Sequence, residues 1–375
     1  MRIGLNLLYL LPGVVGGTET YARGLLGGLS RQKQSIDFVV FINEETSAWP
    51  FLSSIGFELI ICPIKAIRRP NRYFFEQLSL PRLLKKHNIS LVHSLGYVGP
   101  LRPHCSSVVT IPDLNSFEIG GTMPPLKRIM LRFYSQQSAK RSDHIITISE
   151  FSRKSLIHRF HLDPAKVSVT YLAPPEDVDQ SLPEEWERIR HLYGIGEPYI
   201  AAFGGGARHK NLGLLLKAFD LLSAKIPHSL VVIGHCPPGS ELLHLKSKLQ
   251  ERLLLSGYVP NDHIMPILRH SDLLVFPSFY EGFGLPVIEA QKARIPVVCS
   301  NAASLPEIAG SGAIYFDPHS VTGLIKGIQD CLDNVSLKDT LIRAGETNLK
   351  RFSWDKTVQE TLSIYHQVVG SAKTI

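Results

Sequence analysis

The stretch Pro277-Ser278-Phe279-Tyr280-Glu281-Gly282-Phe283-Gly284-Leu285-Pro286-Val287-Ile288-Glu289 decides how this chain is read. The apolar run Leu273–Phe276 before it has the length and composition of a buried strand, and Pro286 suits the first turn of a helix. Strand, glycine loop and helix therefore follow one another directly. Glu281 falls in the loop and Glu289 about one turn into the helix, so two carboxylates from different local structures can face one pocket. Gly282 and Gly284 leave backbone N–H groups uncovered between them. A single acid near a helix start would only complement the helix dipole. Paired fixed acceptors beside accessible amides suit a ligand rich in hydroxyls.

Outward from this stretch, short apolar runs alternate with longer amphipathic ones. Ile3–Leu8, Asp37–Ile42, Leu91–His93, Ser107–Ile111 and His144–Ile148 read as strands, separated by helices at Glu19–Leu29, Glu76–His87, Met130–Lys140 and Glu150–Phe160. The pattern then restarts. Tyr199–Phe203, Ser229–Ile233, Leu253–Ser256, Leu273–Phe276 and Pro296–Cys299 read as strands, with helices at Asn211–Ala224, Ser240–Leu249, Ile264–Arg269, Leu285–Ala293 and Val321–Asn334. Such alternation predicts parallel sheets covered on both faces. Two series predict two doubly wound α/β domains, with a seam near Ala173-Pro174-Pro175 and the acidic stretch Glu176–Glu187. The first domain is expected over 1–173, joined by a C-terminal helix at 356–375, and the second over 174–355. In open parallel sheets ligands bind beyond the carboxyl ends of the strands, so the loops after each strand carry the candidate chemistry.

Composition agrees with two packed cores. The chain has 375 residues, 44% hydrophobic and 19% charged, and a net charge of +7 that favours anionic partners. Its five cysteines are scattered and form no C-x-x-C pair, which argues against a disulfide framework or zinc site and suits a reducing, cytoplasmic compartment. The uncharged run after Arg2 is broken by Asn6, Pro12 and four glycines, so a buried strand and glycine loop are expected there instead of a signal peptide. No run reaches the roughly 18 apolar residues of a membrane span.

Two further loops matter. Gly13-Val-Val-Gly16-Gly17-Thr18-Glu19 lies between the first strand and first helix, where Thr18 could cap a helix that attracts phosphate. Gly204-Gly205-Gly206-Ala-Arg208-His209-Lys210-Asn211 follows the strand Tyr199–Phe203. His209 stands where a dinucleotide fingerprint needs its last glycine, so hydride chemistry loses support. A flexible turn, two cations and a helix start remain, a set suited to a diphosphate whose charge grows as a bond to it breaks. The fifteen histidines form no metal motif, and no G-x-S-x-G elbow occurs.

On these residues the chain resembles family 4 of the GT-B glycosyltransferases, whose Glu-x7-Glu signature matches Glu281–Glu289. Arg208-His-Lys210-Asn211 resembles the family's phosphate motif, and Ser256-Gly257-Tyr258-Val259 its nucleotide-side turn. Ser304-Leu-Pro-Glu307 and Arg351-Phe-Ser-Trp354 resemble later family segments, the last preceding a helix that crosses back to the first domain. The resemblance implies two Rossmann-like domains facing a central cleft. It implies that Glu289 binds the donor ribose, Glu281 the transferred sugar, and Arg208, Lys210 and Asn211 the diphosphate side, near Gly204 and Gly205. It also places the backbone of Phe283, Gly284 and Leu285 against sugar and phosphate, Tyr258 and Val259 on the nucleotide side, and Gly16 and Gly17 over the phosphates. Retention of configuration, no metal and no cofactor are implied, with the leaving phosphate itself helping to deprotonate the acceptor. The nucleotide-diphosphate sugar is a co-substrate.

The departures are specific. Pro112-Asp113 stands where the family has His-Asp, which leaves Asp113 as the candidate on that side. Leu172-Ala173 replaces Asn-Gly, and Arg294 replaces a glycine. The runs Glu76-Gln77-Leu78-Ser-Leu-Pro81, Val109-Thr-Ile111 and Glu281–Glu289 look most like bacterial mannosyltransferases, which makes GDP-mannose the preferred donor. A glycan or lipid-linked acceptor in cell-surface polysaccharide synthesis is expected. The rivals are a UDP-sugar transferase and a degenerate module that binds nucleotide sugar without transfer. The basic, aromatic-flanked stretches Arg68–Phe75 and Lys127–Tyr134 suit either a solvated helix face or peripheral contact with the inner face of the plasma membrane. No nucleic-acid reading module accompanies the charge.

Overall fold

The computed structural model describes residues 1–32, 36–118, 125–175, 183–205, 207–236 and 239–372. Gly206 and residues 176–182 of the acidic stretch, both singled out above, lie outside them. The chain divides into two compact units, Met1–Leu172 with Ser353–Ile375, and Ala173–Phe352.

The first unit holds β1 (Arg2–Asn6), β2 (Asp37–Ile42), β3 (Glu58–Ile61), β4 (Leu91–Ser94), β5 (Ser106–Thr110), β6 (His144–Thr147) and β7 (Val167–Val169). They form one parallel sheet in the order β3-β2-β1-β4-β5-β6-β7. The second unit holds β8 (Tyr199–Phe203), β9 (Ser229–Ile233), β10 (Leu253–Leu255), β11 (Leu273–Phe276), β12 (Val297–Ser300) and β13 (Ile314–Phe316), also parallel, in the order β10-β9-β8-β11-β12-β13. Helices cover both faces of the second sheet. Val275 points into a layer with Phe219 and Ile328, while its neighbours Leu274 and Phe276 point into one with Val287 and Ala290. Burial on both faces is why these strands read as continuous apolar runs.

Each order reverses at its centre, between β1 and β4 and between β8 and β11. Crossovers leave such a point in opposite directions, so the loops there separate and form a crevice at the carboxyl edge. In the second sheet those loops are Gly204–Asn211 and Pro277–Gly284.

The last helix, Trp354–Ala372, belongs to the first unit. It packs on the helix Gly17–Ser30, where a Cβ on Gly24 would lie 2.3 Å from the Trp354 ring and one on Gly28 2.5 Å from Val358. Tyr365 bonds His93 Nδ1 at 2.6 Å, His93 Nε2 meets Thr110 at 2.7 Å, and Thr110 meets Tyr21 at 3.0 Å. This buried chain joins the last helix, the sheet and the first helix.

Two expectations about elements change. The helix expected over Glu76–His87 is two helices, Arg69–Leu78 and Leu80–Lys86, because Pro81 lacks an N–H and opens the second. The strands β3, β7 and β13, unmarked in the sequence reading, are short, and all three are edge strands, where the apolar pattern weakens.

Candidate functional site

The reversal between β8 and β11 sets the geometry of the second unit's loops. After β8 the chain must pass tightly over β9. Gly204 donates to the Ile233 carbonyl at 2.8 Å, and a Cβ there would lie 2.5 Å from both Val232 and Cys236. Gly205 lies against the Lys210 stem. A single 3-10 turn, Arg208–Lys210, then carries the cations. Arg208 is exposed and makes no ion pair among the described residues.

Asn211 ends this turn in the left-handed conformation, φ 52°, and is buried. Its amide donates to the Pro277 carbonyl at 3.1 Å and the Pro318 carbonyl at 2.8 Å. The Phe279 N–H donates to the His209 carbonyl at 2.7 Å. Asn211 thus acts by clamping the two loops together.

The clamp brings Lys210 Nζ to 2.8 Å from Glu281 Oε1, with the ammonium 5.1 Å from the centre of the Phe276 ring. Both charged side chains keep a minor part of their surface in solvent. Beside them, burial pushes the His209 imidazole below its ordinary range, a shift opposed by the Glu281 charge. The Glu281 loop is fixed from below by the buried Ser304 hydroxyl, which donates to the carbonyls of Glu281 at 2.9 Å and Phe283 at 2.8 Å.

Gly284 sits at φ 104°, and a Cβ there would meet Leu305 at 2.7 Å. It begins the helix Leu285–Lys292, whose N-cap supplies no side-chain hydrogen bond. Phe283 is buried, while Leu285 is half-buried. Glu289 lies on this helix, half-buried, and its carboxyl has no hydrogen bond or ion pair among the described residues. Desolvation pushes it up to about 7. Tyr258 is exposed after Gly257, which bridges Gly234, whereas the Val259 side chain is buried with Ile233 and Ile267 and leaves only its backbone for a ligand.

In the first unit, Gly16 caps the helix Gly17–Ser30 at φ 56° and ψ −124°, with open space where a Cβ would stand. The Glu19 carboxylate accepts from the Gly13 N–H at 2.6 Å and closes the glycine loop. Thr18 differs from its expected role. The helix begins at Gly17, so the Thr18 hydroxyl already lies inside it and donates to the Val15 carbonyl at 3.1 Å. Asp113 accepts from the Tyr97 hydroxyl and the Asn115 N–H, both at 2.9 Å.

The sequence reading placed Lys210 and Glu281 in one site but did not foresee Ser304, Phe276 or His209 as its walls. Each lay in a run that the sequence marked, Ser304 in Ser-Leu-Pro-Glu, His209 in the cation loop and Phe276 at the end of its strand, but with no role assigned. The site as built holds a cation turn, two carboxylates in different settings and an uncapped helix start, an arrangement able to grip an anionic group and neighbouring hydroxyls at once.

Comparison with known proteins places the chain in a family. Residues 15–173 match the model described as Glycosyltransferase Family 4, and residues 187–348 match that of Glycosyl transferases group 1. The chain is 29% identical over 268 residues to O-antigen chain mannosyltransferase B of Escherichia coli, covering 69% of this chain and 70% of that protein. It is 23% identical to an uncharacterized glycosyltransferase of Methanocaldococcus jannaschii, covering 97% and 98% of the two chains. Among solved structures, Anabaena HepE in complex with UDP and glucose superposes with a TM-score of 0.75 at 16% identity, covering 97% and 99%.

Proposed function

The chain belongs to glycosyltransferase family 4, and on that premise we propose that it moves mannose from GDP-mannose, with retention, onto a glycan or lipid-linked acceptor of a cell-surface polysaccharide. The observation that carries this reading is the Lys210–Glu281 pair at the reversal of the second sheet. The mannosyltransferase named among the relatives supports the choice of sugar.

In this reading the donor diphosphate takes Lys210 away from Glu281 and adds Arg208, and the freed carboxylate accepts hydrogen bonds from the sugar. Negative charge grows on the phosphate as the bond to the anomeric carbon breaks, so a positioned cation binds the transition state more tightly than the ground state. The departing phosphate oxygen takes the proton of the acceptor hydroxyl, and that hydroxyl oxygen bonds the anomeric carbon on the same face. No protein nucleophile is needed. Glu289, with no partner among the described residues, accepts from the ribose hydroxyls. Pro112 has no side-chain donor, so on the first unit's side Asp113 is left to orient the acceptor.

Hydrolysis and binding across a panel of GDP- and UDP-sugars tests the proposal. GDP-mannose is expected to be turned over fastest. Preference for a UDP-sugar would overturn the donor, and binding without turnover of any donor would leave a nucleotide-sugar-binding module.

A further inference from the structure

Two glycines leave the Glu281 loop little stiffness of its own, since Gly282 and Gly284 flank Phe283. The Lys210 ammonium holds the Glu281 carboxylate at 2.8 Å. That hold is released when a diphosphate takes Lys210, which is also when the carboxylate must meet the sugar. Other contacts then have to keep the acid in place.

Ser304 ties the loop through its backbone, at the carbonyls of Glu281 and Phe283. The Phe283 side chain supplies a second tie. It is buried and meets the Phe352 ring with centroids 5.7 Å apart and planes at 82°, the favoured edge-to-face arrangement. Phe352 is buried as well, and it is the last residue of the second unit, since Ser353 belongs to the first.

Phe352 stands on a rigid footing. It follows the helix Val335–Leu349, and its N–H donates to the Leu349 carbonyl at 3.0 Å. On that helix the buried Asn348 amide donates to Gln291 Oε1 at 2.9 Å and to the Ile308 carbonyl at 2.8 Å. Arg351 donates to Asn348 Oδ1 at 2.8 Å and to the Glu307 carbonyl at 2.9 Å, and its guanidinium lies 5.0 Å from the centre of the Phe352 ring. Gln291, on the helix that carries Glu289, donates in turn to the Ala309 carbonyl at 2.9 Å. The two helices approach closely at Gly345, where a Cβ would lie 3.0 Å from the Gln291 side chain. A buried network satisfied in this way rigidifies what it carries.

We propose, on the donor reading above, that Phe352 is a positioning residue for the Glu281 carboxylate. Its ring, seated on the Gln291–Asn348–Arg351 network, holds Phe283 and so keeps the sugar-side loop in place while phosphate engages Lys210. Being buried, it acts through Phe283 and not on the donor. Donor turnover is thereby tied to the point where the chain leaves the second unit.

Phe352→Leu, which keeps most of the volume but removes the ring edge, tests this. A misplacement of about 1 Å can cost about a hundredfold, so kcat for donor hydrolysis is expected to fall by at least about tenfold. Affinity for the nucleoside diphosphate, GDP or UDP according to which binds, reads the ribose and phosphate side and should stay within about twofold. Ser304→Ala loosens the same loop, so the double variant should lose less than the product of the two single losses. Phe283→Leu removes the other ring and should reproduce the pattern, which covers the case in which Phe352→Leu does not fold. Hydrogen exchange over residues 281–285 with saturating nucleoside diphosphate needs no turnover. It should be faster by about tenfold in Phe352→Leu, with β8 and β11 protected as in the parent. Unchanged hydrolysis, nucleotide affinity that falls in step with it, losses that multiply, or loop exchange equal to the parent's would each overturn the proposal. A parent that binds nucleotide but hydrolyses no donor would count against the transferase reading alone, and the exchange measurement would still decide the role of Phe352.

Discussion

At the scale of single residues, the chemistry rests on how Lys210 and Glu289 differ. Lys210 is paired and waits to be reassigned, whereas Glu289 is unpaired among the described residues and desolvated. Lys210→Ala should cost about 2–4 kcal/mol of transition-state stabilisation, read as a fall in kcat/KM for donor turnover, by analogy with losing one preorganised donor to a developing anion. An unchanged turnover would remove Lys210 from the site. For Glu289 the sign follows from the direction of its shift. The folded protein keeps this carboxyl protonated up to about 7, above its ordinary 4.5, so its contribution to stability is complete below about 4.5 and is lost as the pH rises toward 7. Donor binding runs the opposite way, because ribose hydroxyls donate to the ionised form. Donor affinity should therefore fall by up to about tenfold per pH unit below 7, and Glu289→Gln should bind more weakly with no such slope. Titrating donor affinity between pH 5 and 8, pH values chosen to bracket about 7, decides it; a slope that persists in the variant assigns the proton elsewhere.

At the scale of elements, one departure from the family pattern acquires a structural meaning. Arg294, where the family has glycine, stands just past the helix Leu285–Lys292 at φ 62°. Its N–H donates to the Gln291 carbonyl and that of Ile295 to the Ala290 carbonyl, both at 3.1 Å, the hydrogen-bond pair of a Schellman ending. Glycine suits that position because it alone takes the left-handed conformation without strain. Arg294 lies at the far end of the helix from Gly284, and its pair with Glu346 is largely exposed. Arg294→Gly should thus raise stability by about 0.5–1 kcal/mol, with donor turnover unchanged. Chemical denaturation of parent and variant checks this, and a loss of stability would mean that the Glu346 pair outweighs the backbone strain. Strands and helices with long apolar runs were legible in the sequence to within a few residues, as with Asp37–Ile42 and Tyr199–Phe203. Short strands such as β3 were not, since an exposed strand of four residues has no apolar period to read.

At the scale of the whole molecule, the last helix is tied to the first unit by the chain Tyr365–His93–Thr110–Tyr21. Burial holds the His93 imidazole down to about 3, so it stays neutral. The unfolded chain binds this proton below about 6.5, so the contribution to stability is present above that pH and lost as the pH falls toward 3. Tyr365→Phe leaves the buried His93 Nδ1 without its partner and should cost about 1–3 kcal/mol, seen as earlier unfolding of the first unit in hydrogen exchange. Protection equal to the parent's would show that the helix is held by packing on Gly24 and Gly28 alone. By itself the amino-acid order determined two parallel α/β sheets and the strand, loop and helix that carry Glu281 and Glu289, because apolar period and glycine position are local and survive without neighbours. Only the tertiary structure decided that Asn211 and Ser304 are braces, that Glu289 lacks a partner among the described residues, and that Phe74 and Phe133 face outward while Arg72 and Glu76 are enclosed. Those outcomes depend on which loops the central reversal of each sheet brings together and on which side of a helix the sheet lies, relations between residues far apart in the chain.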